Sequence, residues 1–204
     1  MYNVSVTFSV CPSRLIIHAT YVGDMNYRRA KTAGGTFFFT VVTHNRRPFL
    51  CTPENIVLLR QAFRYAMNNH PFRIDAIVIL PEHLHGLWTL PVGDADFSTR
   101  WRLIKSHFSR HCATPYQGQV SASRQRKQEK AVWQRRFWEH QIRDEEDYTR
   151  HVEYVHYNPV KHNLVSVPIA WAHSSFGRYV EAGVYPADWG AEGTVAFPDD
   201  VGHE

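Results

Sequence analysis

The chain has 204 residues, of which 44% are hydrophobic and 21% charged, and this suits one folded domain with a substantial core. No apolar run approaches the roughly 20 residues of a membrane-spanning helix, and three widely separated cysteines with no CxxC pair exclude a disulfide framework, so we expect a cytoplasmic protein. A net charge of +4, a pI near 9.0 and clustered basic residues favour a polyanionic partner.

The first 24 residues make a poor signal peptide because they lack a basic opening and a clean apolar block. We interpret residues 1–24 as an extension, either disordered or the product of an upstream start codon, with the domain itself beginning at Met25. The domain is predicted to cover residues 25–190, and residues 191–204 form a polar tail.

Three strands and two helices are predicted in the first half of the domain. The β-branched and aromatic run at 36–43 follows a Gly-Gly pair and is typical of a buried strand. A Thr-Pro-Glu start signal and apolar side chains at helical spacing predict a helix over 53–69. Two further apolar runs predict strands over 72–80 and 83–90, and a second amphipathic pattern predicts a helix over 98–111.

The second half begins with a polar, basic stretch at 113–131, which is predicted to be a mobile connector. A fourth strand follows over 133–143, and the acidic run 144–147 then opens a helix that is expected to end at about Tyr157 or Asn158, before Pro159. The resulting order, βαββαβα, is typical of an α+β fold whose helices lie on one face of a sheet. The opposite face of the sheet is then available for a site.

A His-Leu-His sequence opens the third predicted strand. His83 and His85 are two positions apart and therefore share one face, whereas Leu84, Trp88 and Leu90 point to the other. Two imidazoles on one face can share a metal ion if a third ligand comes from elsewhere, and on their own they suggest zinc rather than magnesium or manganese. The alternative is a pair of surface or satisfied core histidines.

The last predicted helix is rich in side chains that could carry chemistry. Tyr148 falls on its apolar stripe with two valines, whereas Tyr154 lies on another flank with Asn158 one turn further along. A tyrosine beside a metal-binding amide could displace an alkoxide from a phosphate. From the residues alone, Tyr154 is only modestly favoured over Tyr148 and Tyr157, and all three could simply pack.

Seven segments together give a more specific pattern: NYRR at 26–29, GGTFFFT at 34–40, LPEHLH at 80–85, WTLP at 88–91, DFSTRWRLIK at 96–105, RFWEH at 136–140 and YVHYNPVKH at 154–162. In this order they resemble the REP-associated tyrosine transposases, relatives of the single-tyrosine transposases of bacterial insertion sequences, within the HUH endonuclease superfamily. The resemblance covers about residues 26–190.

The resemblance implies an RRM-like (ferredoxin-like) antiparallel sheet with the histidine pair on a central strand. It implies His83, His85 and Asn158 as ligands of Mg²⁺ or Mn²⁺, and Tyr154 as the nucleophile. The implied reaction is cleavage and rejoining of single-stranded hairpin DNA, REP-like palindromes, through a 5′-phosphotyrosine. It needs no ATP, and the chain has no GxxxxGK motif. The oligomeric state, monomer or homodimer, is left undecided by the sequence.

Basic side chains could contact the DNA backbone, although each alone could also be a solvated charge. The candidates are Arg28, Arg29, Arg100, Arg102, Lys105, Arg135, Arg136 and Lys161. Glu82 could contact a metal-binding residue without binding the metal itself, or could simply belong to a turn. Two other functions compete with the transposase: a catalytically inactive DNA-binding protein, and a metal-dependent hydrolase in which Tyr154 is structural. A DNA-processing role would place the protein at the nucleoid.

Overall fold

A computed structural model describes residues 33–127, 129–191, 195 and 197. The predictions for residues 1–24, the start at Met25, and most of the polar tail 191–204 lie outside the described residues.

The described part of the chain forms a sheet of four antiparallel strands, β1 (Thr36–Val42), β2 (Arg73–Ile79), β3 (His83–Thr89) and β4 (Trp138–Gln141). Their order across the sheet is β2-β3-β1-β4, so β3, which carries the histidine pair, is central. The predicted order of strands and helices and the α+β class are confirmed. The fourth strand is shorter than the predicted 133–143, because its pairing with β1 covers four residues only.

Two long helices, α1 (Pro53–Asn69) and α2 (Phe97–His111), pack on one face of this sheet. Each begins at a side-chain cap, Thr52 for α1 and Asp96 for α2. The apolar residues that alternate along the strands fill the space beneath them, as the pattern predicted. Among the described residues, no helix is long and apolar enough to cross a membrane.

A third long helix, α4 (Glu145–Lys161), lies on the opposite face. The expectation of helices on one face therefore holds for α1 and α2, while α4 covers the face that we expected to be open. Beneath α4 a second apolar cluster forms from Phe38, Ala76, Val78, Leu80, Leu87, Val152, Tyr154 and Val155. The short helix α5 (Phe176–Glu181) follows, and its Phe176 is fully buried.

The end of α4 differs from the prediction that Pro159 would stop it. The helix runs on to Lys161, with the proline inside its last turn. The Leu164 N–H bonds to the Pro159 carbonyl and the Asn163 N–H to the Val160 carbonyl, both at 2.9 Å, and Asn163 takes the left-handed φ of 56°. This pattern closes the end of a helix, so the stop signal is Asn163 rather than the proline.

The segment predicted as a mobile connector folds against the domain where it is described. It contains a 3₁₀ turn at Thr114–Tyr116 and a short helix, α3 (Ala122–Arg126). Arg124 of α3 is buried and donates to the Trp133 carbonyl at 3.2 Å, while the Arg47 guanidinium donates to the Tyr116 and Ala131 carbonyls. Carbonyl acceptors are what hold this polar stretch in place, and a hydrophobicity pattern does not record them.

Candidate active site

The two histidines of β3 face α4. Both side chains are 0% exposed, and their ring centroids are 4.8 Å apart. Leu84 and Trp88 lie in the other apolar cluster, under α1 and α2, so the predicted division of the strand between two faces is confirmed.

Each histidine is held through its Nδ1 atom. The hydroxyl of Thr40 lies 2.9 Å from Nδ1 of His85, and a carboxylate oxygen of Glu82 lies 2.9 Å from Nδ1 of His83. The hydrogen bond with His83 is the main reason that the pKa of Glu82 is below its usual value. With Nδ1 engaged in this way, Nε2 is the nitrogen that each ring can offer to a cation, an arrangement common behind metal-binding histidines.

Of these two supporting residues, the sequence suggested only Glu82. Thr40 was missed because it lies on another strand, and only the register of β1 with β3 places it directly opposite His85.

Tyr154 lies against the histidine pair. Its side chain is 1% exposed, and its ring centroid is 5.3 Å from that of His85 and 5.9 Å from that of Phe38. It therefore packs on the sheet beside the apolar stripe of α4. Phe197 packs edge-on against the same ring, with centroids 5.4 Å apart.

The competing tyrosines are placed elsewhere. Burial raises the pKa of Tyr148, and the neighbouring groups that also act on it are Tyr179 of α5 and Asp75 and Arg73 of β2. Tyr157 packs on Trp189. Of the three candidates, Tyr154 is the one whose ring lies against a histidine of the pair in the described part of the chain.

Asn158 supplies a buried amide one turn after the tyrosine. Its side chain is 0% exposed, and its Nδ2 donates to the Tyr154 carbonyl at 3.1 Å. Within the described residues its Oδ1 accepts no hydrogen bond. A buried carbonyl-type oxygen without a donor is costly, and a cation would satisfy it. The donor set of two imidazole nitrogens and one amide oxygen therefore fits a divalent cation.

The last turn of α4 brings two more side chains to the site. Lys161 Nζ lies 2.9 Å from the phenolic oxygen of Tyr154, and the His162 ring lies 5.1 Å from that of His83. The sequence suggested Lys161 only as a contact for the DNA backbone, and His162 was missed. The positions of Lys161 and His162 both depend on the helix continuing past Pro159. The sequence predicted the opposite, because a proline usually ends a helix.

Comparison with known proteins bears on this arrangement. The chain is 45% identical over 168 residues to the REP-associated tyrosine transposase of Escherichia coli K12, covering 82% of this chain and 92% of that protein. A Haemophilus influenzae relative described by the same family name is 41% identical over 176 residues, covering 86% and 99%. The chain belongs to the REP-associated tyrosine transposase family. It is accordingly an enzyme of the transposase class.

A solved structure supports the same assignment. This chain matches the structure of a REP-associated tyrosine transposase bound to a REP hairpin, with a TM-score of 0.69 and 42% sequence identity. The match covers 89% of this chain and 98% of the chain in that structure. No protein-family model matches the chain.

Next to the tyrosine, the transposase has a second cluster of metal-binding residue types. One potential ligand atom from each of His140, Asp147 and His151 lies within 4.8 Å of the others. The His140 ring and two nitrogens of Arg143 already bond to one carboxylate oxygen of Asp147, at 2.8 to 3.1 Å. The two imidazoles stack within 12° of parallel, which does not let one ion lie in both ring planes. We interpret this cluster as a hydrogen-bonded anchor for the start of α4.

The structure corrects one proposed DNA contact, Arg100. Its side chain is 1% exposed, it pairs with Asp94 at 2.6 Å, and it donates to the carbonyls of His70 and Pro71. With its donors taken up by the Asp94 carboxylate and by backbone carbonyls, this guanidinium tethers α2 to the chain before β2. Its role is structural.

Apart from Lys161, the other basic candidates fall into three groups: one bonded to backbone carbonyls, three exposed, and two outside the described residues. Lys105 donates to the Gln134 and Arg135 carbonyls, and burial lowers its pKa to about 8. Arg135 pairs with Glu129 at 2.7 Å but is exposed. Arg102 and Arg136 are exposed. Two more, Arg28 and Arg29, lie outside the described residues.

Proposed function

We propose that this transposase cleaves and rejoins single-stranded, REP-like hairpin DNA through a covalent bond to Tyr154, using Mg²⁺ or Mn²⁺ held by His83, His85 and Asn158. The observation that carries the proposal is the packing of Tyr154 against His85, with the buried Asn158 oxygen one turn away. The hairpin substrate is supported by the related transposase that is bound to a REP hairpin.

The proposed chemistry is a transesterification. The phenolic oxygen of Tyr154 forms a bond to phosphorus while the bond from phosphorus to the 3′ oxygen breaks, leaving a 5′-phosphotyrosine and a free 3′-hydroxyl. A bound divalent cation supplies Lewis-acid charge at the phosphate. The phosphotyrosine conserves the bond energy, so the 3′-hydroxyl can reverse the step and rejoin the strand without ATP.

Thr40 and Glu82 orient the two imidazoles in this proposal. Of the proposed DNA contacts, we retain Arg102, Arg135, Arg136, Arg28 and Arg29 for the phosphate backbone. We also propose that the protein works at the nucleoid, where such DNA is found.

The test is a covalent trapping assay. The purified protein is incubated with Mn²⁺ and an end-labelled single-stranded hairpin, and the products are separated under denaturing conditions. We expect a labelled protein adduct in the wild type, none with Tyr154→Phe, and undiminished hairpin binding in both. Tyr157→Phe is the matched control, because it removes a hydroxyl from the same helix, and it should keep the adduct.

Each alternative function has its own outcome in this assay. Strand cleavage that survives Tyr154→Phe, with no adduct in either protein, would identify a hydrolase that uses water. Hairpin binding without cleavage by the wild type would identify an inactive DNA-binding protein.

A further inference from the structure

Lys161 occupies an unusual place for an exposed lysine. Its Nζ donates to the phenolic oxygen of Tyr154 at 2.9 Å and lies 4.8 Å from the centre of the same ring. The tyrosine side chain is 1% exposed, whereas Lys161 is an exposed residue. The ammonium group therefore approaches the nucleophilic oxygen from the solvent side.

The helix register explains this contact. Lys161 comes seven residues after Tyr154, and at 3.6 residues per turn it lies about 20° from the tyrosine around the helix axis. Asn158 lies about 40° from the tyrosine on the other side. Because α4 continues through Pro159, the amide and the ammonium group both project from the face that carries the tyrosine.

We propose that Lys161 is a catalytic residue that acts on the tyrosyl oxygen, in cleavage and in rejoining alike, rather than a contact for the DNA backbone. The inference rests on the proposed function of Tyr154. A lysine ammonium group is a charged N–H donor, so its hydrogen bond to the phenolic oxygen can stabilise negative charge that develops there.

The same contact serves both directions of the reaction. In cleavage, the bond from the tyrosyl oxygen to phosphorus forms, the bond to the 3′ oxygen breaks, the phenol gives up its proton and the departing 3′ oxygen takes one up. In rejoining, the 3′ oxygen bonds to phosphorus and gives up its proton, and the bond from phosphorus to the tyrosyl oxygen breaks. The tyrosyl oxygen takes up a proton, and the Lys161 N–H stabilises the charge that develops on it. Both directions share one transition state, so losing the ammonium group should slow both.

The decisive experiment separates catalysis from binding. Lys161→Met keeps the length of the side chain and removes the charge, and Lys161→Arg keeps the charge. Arg64→Met is the matched control, since Arg64 is an exposed basic residue on α1, on the far face of the sheet. Adduct formation is measured in a single turnover at saturating labelled hairpin, and hairpin affinity is measured separately at several salt concentrations.

For Lys161→Met we expect the rate of adduct formation to fall about 10- to 100-fold, as for the loss of a hydrogen bond to a developing charge. Hairpin affinity and its salt dependence should stay at the wild-type values. Lys161→Arg should recover part of the rate, and Arg64→Met should match the wild type. When purified adduct is supplied with a 3′-hydroxyl strand, Lys161→Met should rejoin it more slowly by a similar factor.

A backbone contact would give the opposite pattern. In that case Lys161→Met would weaken hairpin binding, reduce the slope of log affinity against log salt by about one, and leave the saturated rate unchanged. That result would overturn the inference while leaving the proposed function intact. Absence of an adduct in the wild type would instead refute the proposed function, and the role of Lys161 with it.

Discussion

The two faces of the sheet use the same strands for different purposes. Along β3, Leu84 and Trp88 point to the face under α1 and α2, while His83 and His85 point to the face under α4. The first face is packed with aromatic rings; the Trp88 and Trp101 rings, for example, are stacked with centroids 4.3 Å apart. The second face buries imidazoles, a threonine hydroxyl and an amide.

This difference shows how stability and chemistry are divided in the molecule. Apolar burial under α1 and α2 contributes favourably to folding, whereas buried polar groups under α4 cost free energy unless each has a partner. The second face therefore needs Thr40, Glu82 and the cation proposed here. Substitutions on the face under α4 should therefore mainly affect activity, and substitutions on the face under α1 and α2 should mainly affect stability.

The largest expected effect is on the α4 face. His85→Ala removes a proposed ligand, and we expect adduct formation to fall about 1000-fold or more, because a bound cation contributes several kcal/mol to the transition state. Titration calorimetry with Mn²⁺ should show binding to the wild type and much weaker binding to the variant. A variant that binds Mn²⁺ as the wild type does would contradict the assignment of this ligand.

The corresponding change on the other face is Trp88→Ala. The indole is fully buried between α1, α2 and the sheet, so its loss should lower the free energy of unfolding by about 3–5 kcal/mol. Denaturant unfolding measures this change. At a temperature where the variant is still folded, adduct formation per folded molecule should stay within a few-fold of the wild type. A loss as large as that of His85→Ala would show that the two faces are not separable.

The division between the faces was largely predictable from the sequence. The period of two along a strand placed His83 and His85 together without any tertiary information. The period of 3.6 likewise placed Tyr154 and Asn158 one turn apart on α4. These predictions succeeded because each depends only on the geometry of one element.

The features that the sequence did not predict depend on contacts between different strands and helices. Thr40 meets His85 through strand register, and Arg100 is buried by an ion pair and by carbonyls that a charge pattern does not reveal. Lys161 reaches Tyr154 because α4 continues past Pro159, and that required the capping pattern at Asn163. In each case the deciding interaction is polar, specific and tertiary.

The smallest expected effect concerns the flank of α4 that packs against α5. His156 is fully buried there among the rings of Phe176, Tyr179 and Tyr185, and its Nε2 lies 2.9 Å from the Ser175 hydroxyl. Burial is the main cause that lowers its pKa to about 3, with a smaller contribution from the charge of Arg178. The folded protein therefore keeps this imidazole neutral at pH values where the unfolded chain protonates it.

The sign of the pH dependence follows from that difference. Between the unfolded pKa of about 6.5 and the folded pKa of about 3, the unfolded state binds the extra proton, so stability falls as the pH falls. At pH 5 this one group should cost about 2 kcal/mol relative to pH 7, which denaturant unfolding at the two pH values can measure. His156→Gln, which cannot titrate, should reduce the difference by about that amount. If the variant shows the full wild-type difference, His156 is not the group that makes the folded protein sensitive to acid.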